Sequence, residues 1–335
     1  MWIAIDTVSG DLGPEPIVNG ALMAVKEFDA RVILVGDRQL LSKLISGHKN
    51  IASPSNIRIE NSDSVVQMSD QPAKAVRAKP HSSIMVCSKL VKNNEAIGLF
   101  SPGNTGATMA ASLLVLGRLP GVKRPAVITP LPRNGSGATV LLDAGANVDC
   151  KAEYLVQFAI MGEIYSREIL GILHPAIGLL SNGEEDNKGN ELTQNVFKAL
   201  KKLPVYFVGN VEGRDLFGFG KPVDVVVCDG FIGNIAIKTI EGTAKAIFNT
   251  LKRNIEASPL AKTGALFLKP TLQAVKGQMD HSNYGGAPLL GVNGIVLIGH
   301  GSSNAWAVRN AIKTTLDFAR HEINRHIIEN IKQFT

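Results

Sequence analysis

The chain has 335 residues, 45% hydrophobic and 19% charged, with 33 glycines spread along it and a formal net charge of +6. That balance excludes a largely disordered chain, and the length suffices for one α/β unit over residues 1–335 or for two lobes sharing a cleft. Apolar stretches such as Ala138 to Leu142 and Ile295 to Ile298 are of strand length, far short of the roughly 20 residues a spanning helix requires.

The first residues, Met1-Trp2-Ile3-Ala4-Ile5-Asp6, form no basic region followed by an apolar region and a cleavage site, so the expected location is the cytoplasm. Short apolar runs then alternate with longer stretches of helical spacing, the pattern of parallel βα units. Strands are expected at Ile3 to Asp6, Val32 to Val35, Ile97 to Phe100, Val127 to Thr129, Thr139 to Asp143, Ile177 to Leu180, Val205 to Val208, Asp224 to Cys228 and Gly294 to Ile298. The helices between and after them are read at Pro16 to Phe28, Ser82 to Lys92, Thr105 to Leu116, Lys151 to Leu170, Glu191 to Leu200, Ile232 to Lys252 and Ser303 to Asn324. Asn61 to Pro80 reads as a polar loop with a short helix, a candidate lid, and Ser258 to Tyr284 as a helical excursion from the sheet. The expected fold is α/β: a doubly wound, mostly parallel sheet with helices on both faces. Ligands of such folds sit beyond the carboxyl ends of the strands.

Cys87, Cys150 and Cys228 are far apart and form no C-x-x-C pair. They read as core residues, with neither a disulfide framework nor a structural metal, and no cofactor is expected. The basic balance permits an acidic partner, an anionic lipid surface or nucleic acid. Nucleic acid is the least favoured, because the basic residues are scattered and aromatics are only 5%.

Chemistry is therefore sought in strand-to-helix loops. Gly103-Asn104-Thr105-Gly106 follows one strand and opens a helix; small residues admit an anion to its N–H groups, and the bland reading is a capped tight turn. Asp229-Gly230-Phe231-Ile232-Gly233-Asn234 repeats the arrangement, with Asp229 either orienting a ligand or capping the helix. His300-Gly301-Ser302-Ser303-Asn304 opens the last long helix, and His300 is a candidate proton donor, oxyanion partner or structural histidine. Asp143 to Asp149 and Gly209 to Arg214 are further strand-to-helix candidates. Arg214 and Lys188 are candidate phosphate cations, or partners of their acidic neighbours. The run Glu184-Glu185-Asp186 reads as a solvated turn rather than a metal site. These turns are expected to gather along one rim. No P-loop, complete dinucleotide fingerprint or nucleophile elbow is present.

Taken in order, Asp6 through Pro14, Gly103 to Gly106, Arg124-Pro125-Ala126, Asp143 to Cys150, Lys188 to Glu191, Gly209 to Arg214, Cys228 to Phe231, Tyr284 to Gly291 and His300 to Asn304 resemble the motifs of the PlsX-type phosphate acyltransferases over nearly the whole chain. Leu12 stands where that family often has a histidine, Pro102 where a small alanine is common, and Ser181-Asn182 replaces Asn-Ile. The resemblance implies a fold like the isopropylmalate dehydrogenases and phosphotransacetylases. It implies a cytosolic homodimer that transfers a fatty acyl group from acyl carrier protein to inorganic phosphate, giving acyl-phosphate for phospholipid synthesis. A membrane glycerol-3-phosphate acyltransferase would then be the downstream partner. Two rivals are a short-chain phosphate acyltransferase using acyl-coenzyme A and a non-enzymatic membrane-bound scaffold. In the leading reading, His300, Asn104, Asp229 and Lys188 are catalytic. Gly103, Thr105, Gly106, Arg214, Gly230, Asn234, Gly301, Ser302, Ser303 and Asn304 then bind phosphate or substrate.

The excursion carries Leu260, Leu266, Phe267, Leu268, Leu272, Val275 and Met279 beside Lys262, Lys269 and Lys276. That composition suits the inner face of an anionic membrane, with Leu266, Phe267, Leu268 and Lys269 in contact, or else a dimer interface.

Overall fold

The structure, a computed structural model, describes residues 1–48, 53–135, 137–278 and 281–334. Met279 of the expected apolar surface lies outside them, and so does the side chain of Lys276. The first half of the chain forms β1 (Trp2–Asp6), α1 (Pro14–Phe28), β2 (Arg31–Gly36), α2 (Arg38–Ser46), β3 (Ile57–Asn61), α3 (Pro72–Ala78), α4 (Ser83–Lys92), β4 (Gly98–Ser101) and α5 (Thr105–Val115). A middle section follows with β5 (Ala126–Pro132), β6 (Ala138–Leu142), α6 (Ala152–Glu168), β7 (Ile177–Leu180), α7 (Glu191–Leu200), β8 (Phe207–Val211), β9 (Val225–Val227) and α8 (Gly230–Glu256). After α9 (Pro259–Gln278) the chain returns to the first half through β10 (Ala287–Leu290), β11 (Ile295–Ile298), α10 (Ala305–Arg320) and α11 (Ile323–Phe334).

All strands join one mixed, mostly parallel sheet in the order β3-β2-β1-β4-β11-β10-β5-β6-β9-β7-β8. β1, β2, β3, β4 and β11 share one direction. The successive antiparallel pairs β11/β10, β10/β5 and β5/β6 leave β6 opposed to β11, and β9, β7 and β8 run with β6. Turns following β1, β4 and β11 therefore leave the sheet at one edge, and turns following β6, β9, β7 and β8 leave at the other.

Period-two alternation divides the strand side chains between the two faces. Ile3 and Ile5 of β1 join the layer beneath α1 and α10, while Ala4 between them joins the layer of α4 and α5. In the middle section α6 is buried on most of its circumference, holding Leu155, Phe158, Met161 and Ile164 against β6, β9, α7 and α11. Only Gly230, Gly233 and Ile237 of the 27-residue α8 are buried. The rest extends outward to pair with α9, which contains Pro270 and shows Leu260, Leu266, Phe267 and Leu268 to solvent. Among the described residues no helix is long and apolar enough to cross a membrane.

The expected elements are altered in specific places. The strand placed at Val205 to Val208 lies at Phe207–Val211. Gly209, with φ 91°, pairs within the ladder where it reads as the start of a loop. The loop expected at Gly209 to Arg214 therefore begins after Val211. The last expected helix, Ser303 to Asn324, breaks at Glu322, whose φ is 46°, and Ile323, Ile327 and Ile331 carry a separate α11 into the core. α2, edge strand β3 and β10 were not expected at all; β3, with the sequence IRIEN, is too exposed to present a continuous apolar run. The Asn61 to Pro80 segment does contain one short helix, α3.

Candidate functional site

Register sets three turns side by side. β4 pairs with β1 through Ile5↔Phe100 and with β11 through Ile298↔Ser101, so the three strands end level. Gly299 N then donates to Ser101 O at 2.8 Å. Beneath them lies the fully buried carboxylate of Asp6, which accepts from Ser9 Oγ at 2.6 Å and Ser101 Oγ at 2.8 Å. This post ties the turn after β1 to the turn after β4. The turn after β11 is tied in by Asp11 N, which donates to Gly301 O at 2.8 Å.

Each of the two following helices is capped by an asparagine. Asn104 Oδ1 accepts from Ala107 N at 3.0 Å at the start of α5, and Asn304 Oδ1 from Ala307 N at 2.9 Å at the start of α10. Such caps satisfy one orphan N–H apiece and leave the other first-turn N–H groups, with the positive end of the helix dipole, directed at the rim. Gly103 is buried against Ser9, to whose Cβ a methyl on Gly103 would come within 2.7 Å. Thr105 is exposed as the first helical residue and Gly106 packs against Pro72 of α3. His300 is exposed, and its Nδ1 accepts from Ser302 N at 3.2 Å and lies 2.7 Å from Ser302 Oγ. With Nδ1 accepting, Nε2 is left to donate at the rim. Ser303 is buried and turns its hydroxyl back to His300 O at 2.6 Å.

A strap from the chain before α3 closes the other side. Asn104 Nδ2 donates to Met68 O at 2.9 Å. Asp70 holds the strap through Gln67 N and Lys79 Nζ, and Lys79 also donates to Val65 O. The Lys79 ammonium beside Asp70 lowers that carboxyl below its ordinary value. Between strap and rim opens a cleft of about 390 Å³ whose walls include Ser9, Asp11, Val65, Gln67, Met68 and Ser69.

The other predicted residues sit elsewhere. Asp143, fully buried, accepts from the backbone N–H groups of Val127, Gly145, Ala146 and Asn147 and from Asn147 Nδ2. Burial pushes its carboxyl above the usual value against the pull of those donors. Gly230 N donates to Asn147 O at 2.8 Å, and Asn234 packs on Gly145, so the turns after β6 and β9 form one unit. Asp229 spends Oδ1 on Phe231 N and Ile232 N, both at 3.0 Å, and is the cap of α8. Arg214 pairs with Glu184 at 2.7 Å and with Glu212 at 3.4 Å, while Asp186 pairs with Lys201 at 2.6 Å. Lys188 is exposed in the turn after β7, its stem against Gly183.

The structure thus brings together Gly103, Asn104, Thr105, Gly106 and His300 to Asn304. The strands that precede Asp229, Gly230, Asn234, Lys188 and Arg214 run the other way, so those residues leave the sheet at its opposite end. Ala144 and Ala146, beside the second group, pack against the core under α5. The single rim expected from the sequence is two. Asp6, Ser9, Asp11 and Met68 were missed as site residues; the first three lie inside the Asp6 to Pro14 motif, whereas nothing local marks Met68.

No thiol is poised as a nucleophile. Burial raises the thiols of Cys87 and Cys228 and pushes that of Cys150 up to about 11.

A model of the family described as "Fatty acid synthesis protein" matches residues 1–326. A phosphate acyltransferase of Leptospira biflexa is 57% identical over 334 residues, covering 100% of this chain and 98% of the relative. One from Desulfitobacterium hafniense is 48% identical over 335 residues, covering 100% and 99%. Among solved structures, a phosphotransacetylase from Streptococcus pyogenes superposes with a TM-score of 0.63 at 17% identity, covering 95% of this chain and 94% of the other. A 4-hydroxythreonine-4-phosphate dehydrogenase from Klebsiella pneumoniae gives 0.54 at 12% identity, covering 95% and 99%. At such identities the superpositions speak to architecture alone.

Proposed function

The chain belongs to the fatty acid synthesis protein family and is a phosphate acyltransferase, and from that premise we propose that its acyl donor is acylated acyl carrier protein and its acyl-phosphate product feeds phosphatidic acid synthesis. The observation that carries the site assignment is the level ending of β1, β4 and β11, which sets two asparagine-capped helix N-termini side by side, next to the turn after β1 that walls the cleft. Amide N–H groups converging there suit a tetraoxo anion.

Phosphate is its own nucleophile. One of its oxygens bonds to the thioester carbonyl carbon, the C–S bond breaks, and the proton left on the phosphoryl group passes to the departing thiolate. The protein's task is then to position phosphate and to stabilise the carbonyl oxygen as charge builds on it. Gly103, Asn104, Thr105 and Gly106 hold phosphate with Gly301 to Asn304, and the Nε2–H of His300 donates to the oxyanion. Lys188 and Arg214, at the other edge, are left to the acidic carrier protein. Incubation with phosphate and either palmitoyl carrier protein or acetyl-coenzyme A, with the product trapped as hydroxamate, tests this. Product from the palmitoyl donor is expected; product only from acetyl-coenzyme A moves the protein to the short-chain reading, and none from either leaves a scaffold.

The α8–α9 arm serves, in this reading, as a peripheral contact with an anionic membrane on the cytoplasmic side, near the membrane acyltransferase that consumes the product. Leu266 and Phe267 are 72% and 82% exposed, beside Lys262 and Lys269, apolar surface that water leaves unfavourably placed. Leu266→Glu with Phe267→Glu is expected to abolish flotation with anionic liposomes while the homodimer persists. Loss of the dimer with flotation retained would assign the arm to the subunit interface.

A further inference from the structure

We infer that Asp11 is the residue that selects phosphate over fully ionised oxyanions, by accepting the hydrogen bond of the proton that phosphate retains at neutral pH. The inference rests on the phosphate cradle just described and adds its specificity.

Asp11 stands in the wall of the cleft, with Ser9 on the same turn and Met68 opposite. Its backbone N–H is fixed on Gly301 O at 2.8 Å. Its side chain lies over the Gly301 backbone, so closely that a methyl group on Gly301 would collide with Oδ2. A carboxylate is thereby held beside amide groups of the turn that begins α10. An acidic side chain in an anion site is unfavourable toward any ligand that offers only acceptors, since two negative groups then face each other with no proton between them.

Phosphate differs from sulfate in this respect. With a second ionisation near neutrality it carries at least one O–H through the physiological range, and a carboxylate is the strongest uncharged-donor acceptor a side chain offers. Sulfate has no proton to give and meets only repulsion. Arsenate, protonated like phosphate, belongs with phosphate. The same hydrogen bond keeps the proton on the phosphoryl group until the thiolate leaves to receive it. Asp6, the other acid of the turn, cannot take this part, because its oxygens are engaged with Ser9, Ser101 and Val8 N beneath the surface.

The test is displacement of radiolabelled phosphate from the full-length protein by sulfate and by arsenate, for wild type, Asp11→Asn and Asp11→Glu, alongside hydroxamate assays. Wild type is expected to release phosphate to arsenate and not to sulfate. Asp11→Asn should bind phosphate about 10- to 100-fold more weakly, the loss of one hydrogen bond to a charged group, and should now bind sulfate comparably. Asp11→Glu should recover part of the preference, and KM for the acyl donor should stay within a few-fold throughout. A wild type without preference for phosphate, or an Asp11→Asn variant that keeps it, overturns the inference. If wild type keeps the preference yet forms no acyl-phosphate from either thioester, the selectivity stands and the acyl-transfer reading falls.

Discussion

Alanine in place of Asn104 or His300 is expected to lower turnover by about two to three orders of magnitude, for His300 the cost of removing one preorganised donor from a developing oxyanion and for Asn104 that of misplacing the phosphate cradle. Steady-state hydroxamate formation at saturating phosphate measures it, with circular dichroism and size exclusion to show that the fold persists. The two variants differ in what else they disturb. Among the described residues His300 bonds within its own turn, so its removal should leave the melting temperature almost unchanged. Asn104 also caps α5 and holds the strap through Met68 O, so Asn104→Ala should cost about 1 kcal/mol of stability in addition. Asn104→Asp separates the roles: its carboxylate still caps α5, but it has no N–H for the strap and adds negative charge beside phosphate. A stable, inactive Asn104→Asp protein is the expected result, and near-normal turnover in all three variants would remove the rim from the mechanism.

The largest effect on stability is expected from Asp143→Ala. The substitution strips the acceptor from four backbone N–H groups and one side-chain N–H in a site without solvent access. Unpaired buried donors cost about 1–3 kcal/mol each, so a loss of about 4 kcal/mol or more, or failure to accumulate folded protein, is predicted for urea denaturation. Asp143→Asn keeps the shape but turns an amide N–H₂ toward a donor, and should fall between. Burial raises the native carboxyl above its unfolded value, so the native state holds that proton more tightly. The stability this group contributes is complete below the unfolded value and declines as pH rises through the native one. The advantage of wild type over Asp143→Asn should accordingly shrink as pH rises across that window.

Much of this architecture could be read from residues in sequence. Runs such as Ile3 to Asp6 and Val32 to Val35 are buried on both sides and announce themselves by continuous apolar character. Gly103 to Gly106 and His300 to Asn304 were legible because small residues and a capping asparagine directly follow such runs. What the chain could not show locally was direction. Nothing in the residues 126–132 or 287–290 says that β5 and β10 each reverse against a neighbour, and those reversals divide one expected rim into two. Nor does Asp229 differ in composition from a ligand-binding aspartate; only its two bonds to the first turn of α8 reveal a cap. The strap was hidden for a related reason. Met68 contributes a main-chain carbonyl, and the identity of its side chain carries no trace of that.

The order in which the strands enter the sheet bears on how the protein is made. β11 sits between β4 and β10, yet it is synthesised after the whole middle section, and α11 covers α6 only when Ile331 has appeared. A nascent chain on the ribosome therefore carries β4 with an unpaired margin through nearly two hundred further codons, and α6 with a bare flank through about 150. Unpaired margins of that kind invite wrong partners. Such a chain gains from a chaperone until its closing segment emerges, and a premature stop near the end should yield aggregates rather than a shortened working enzyme.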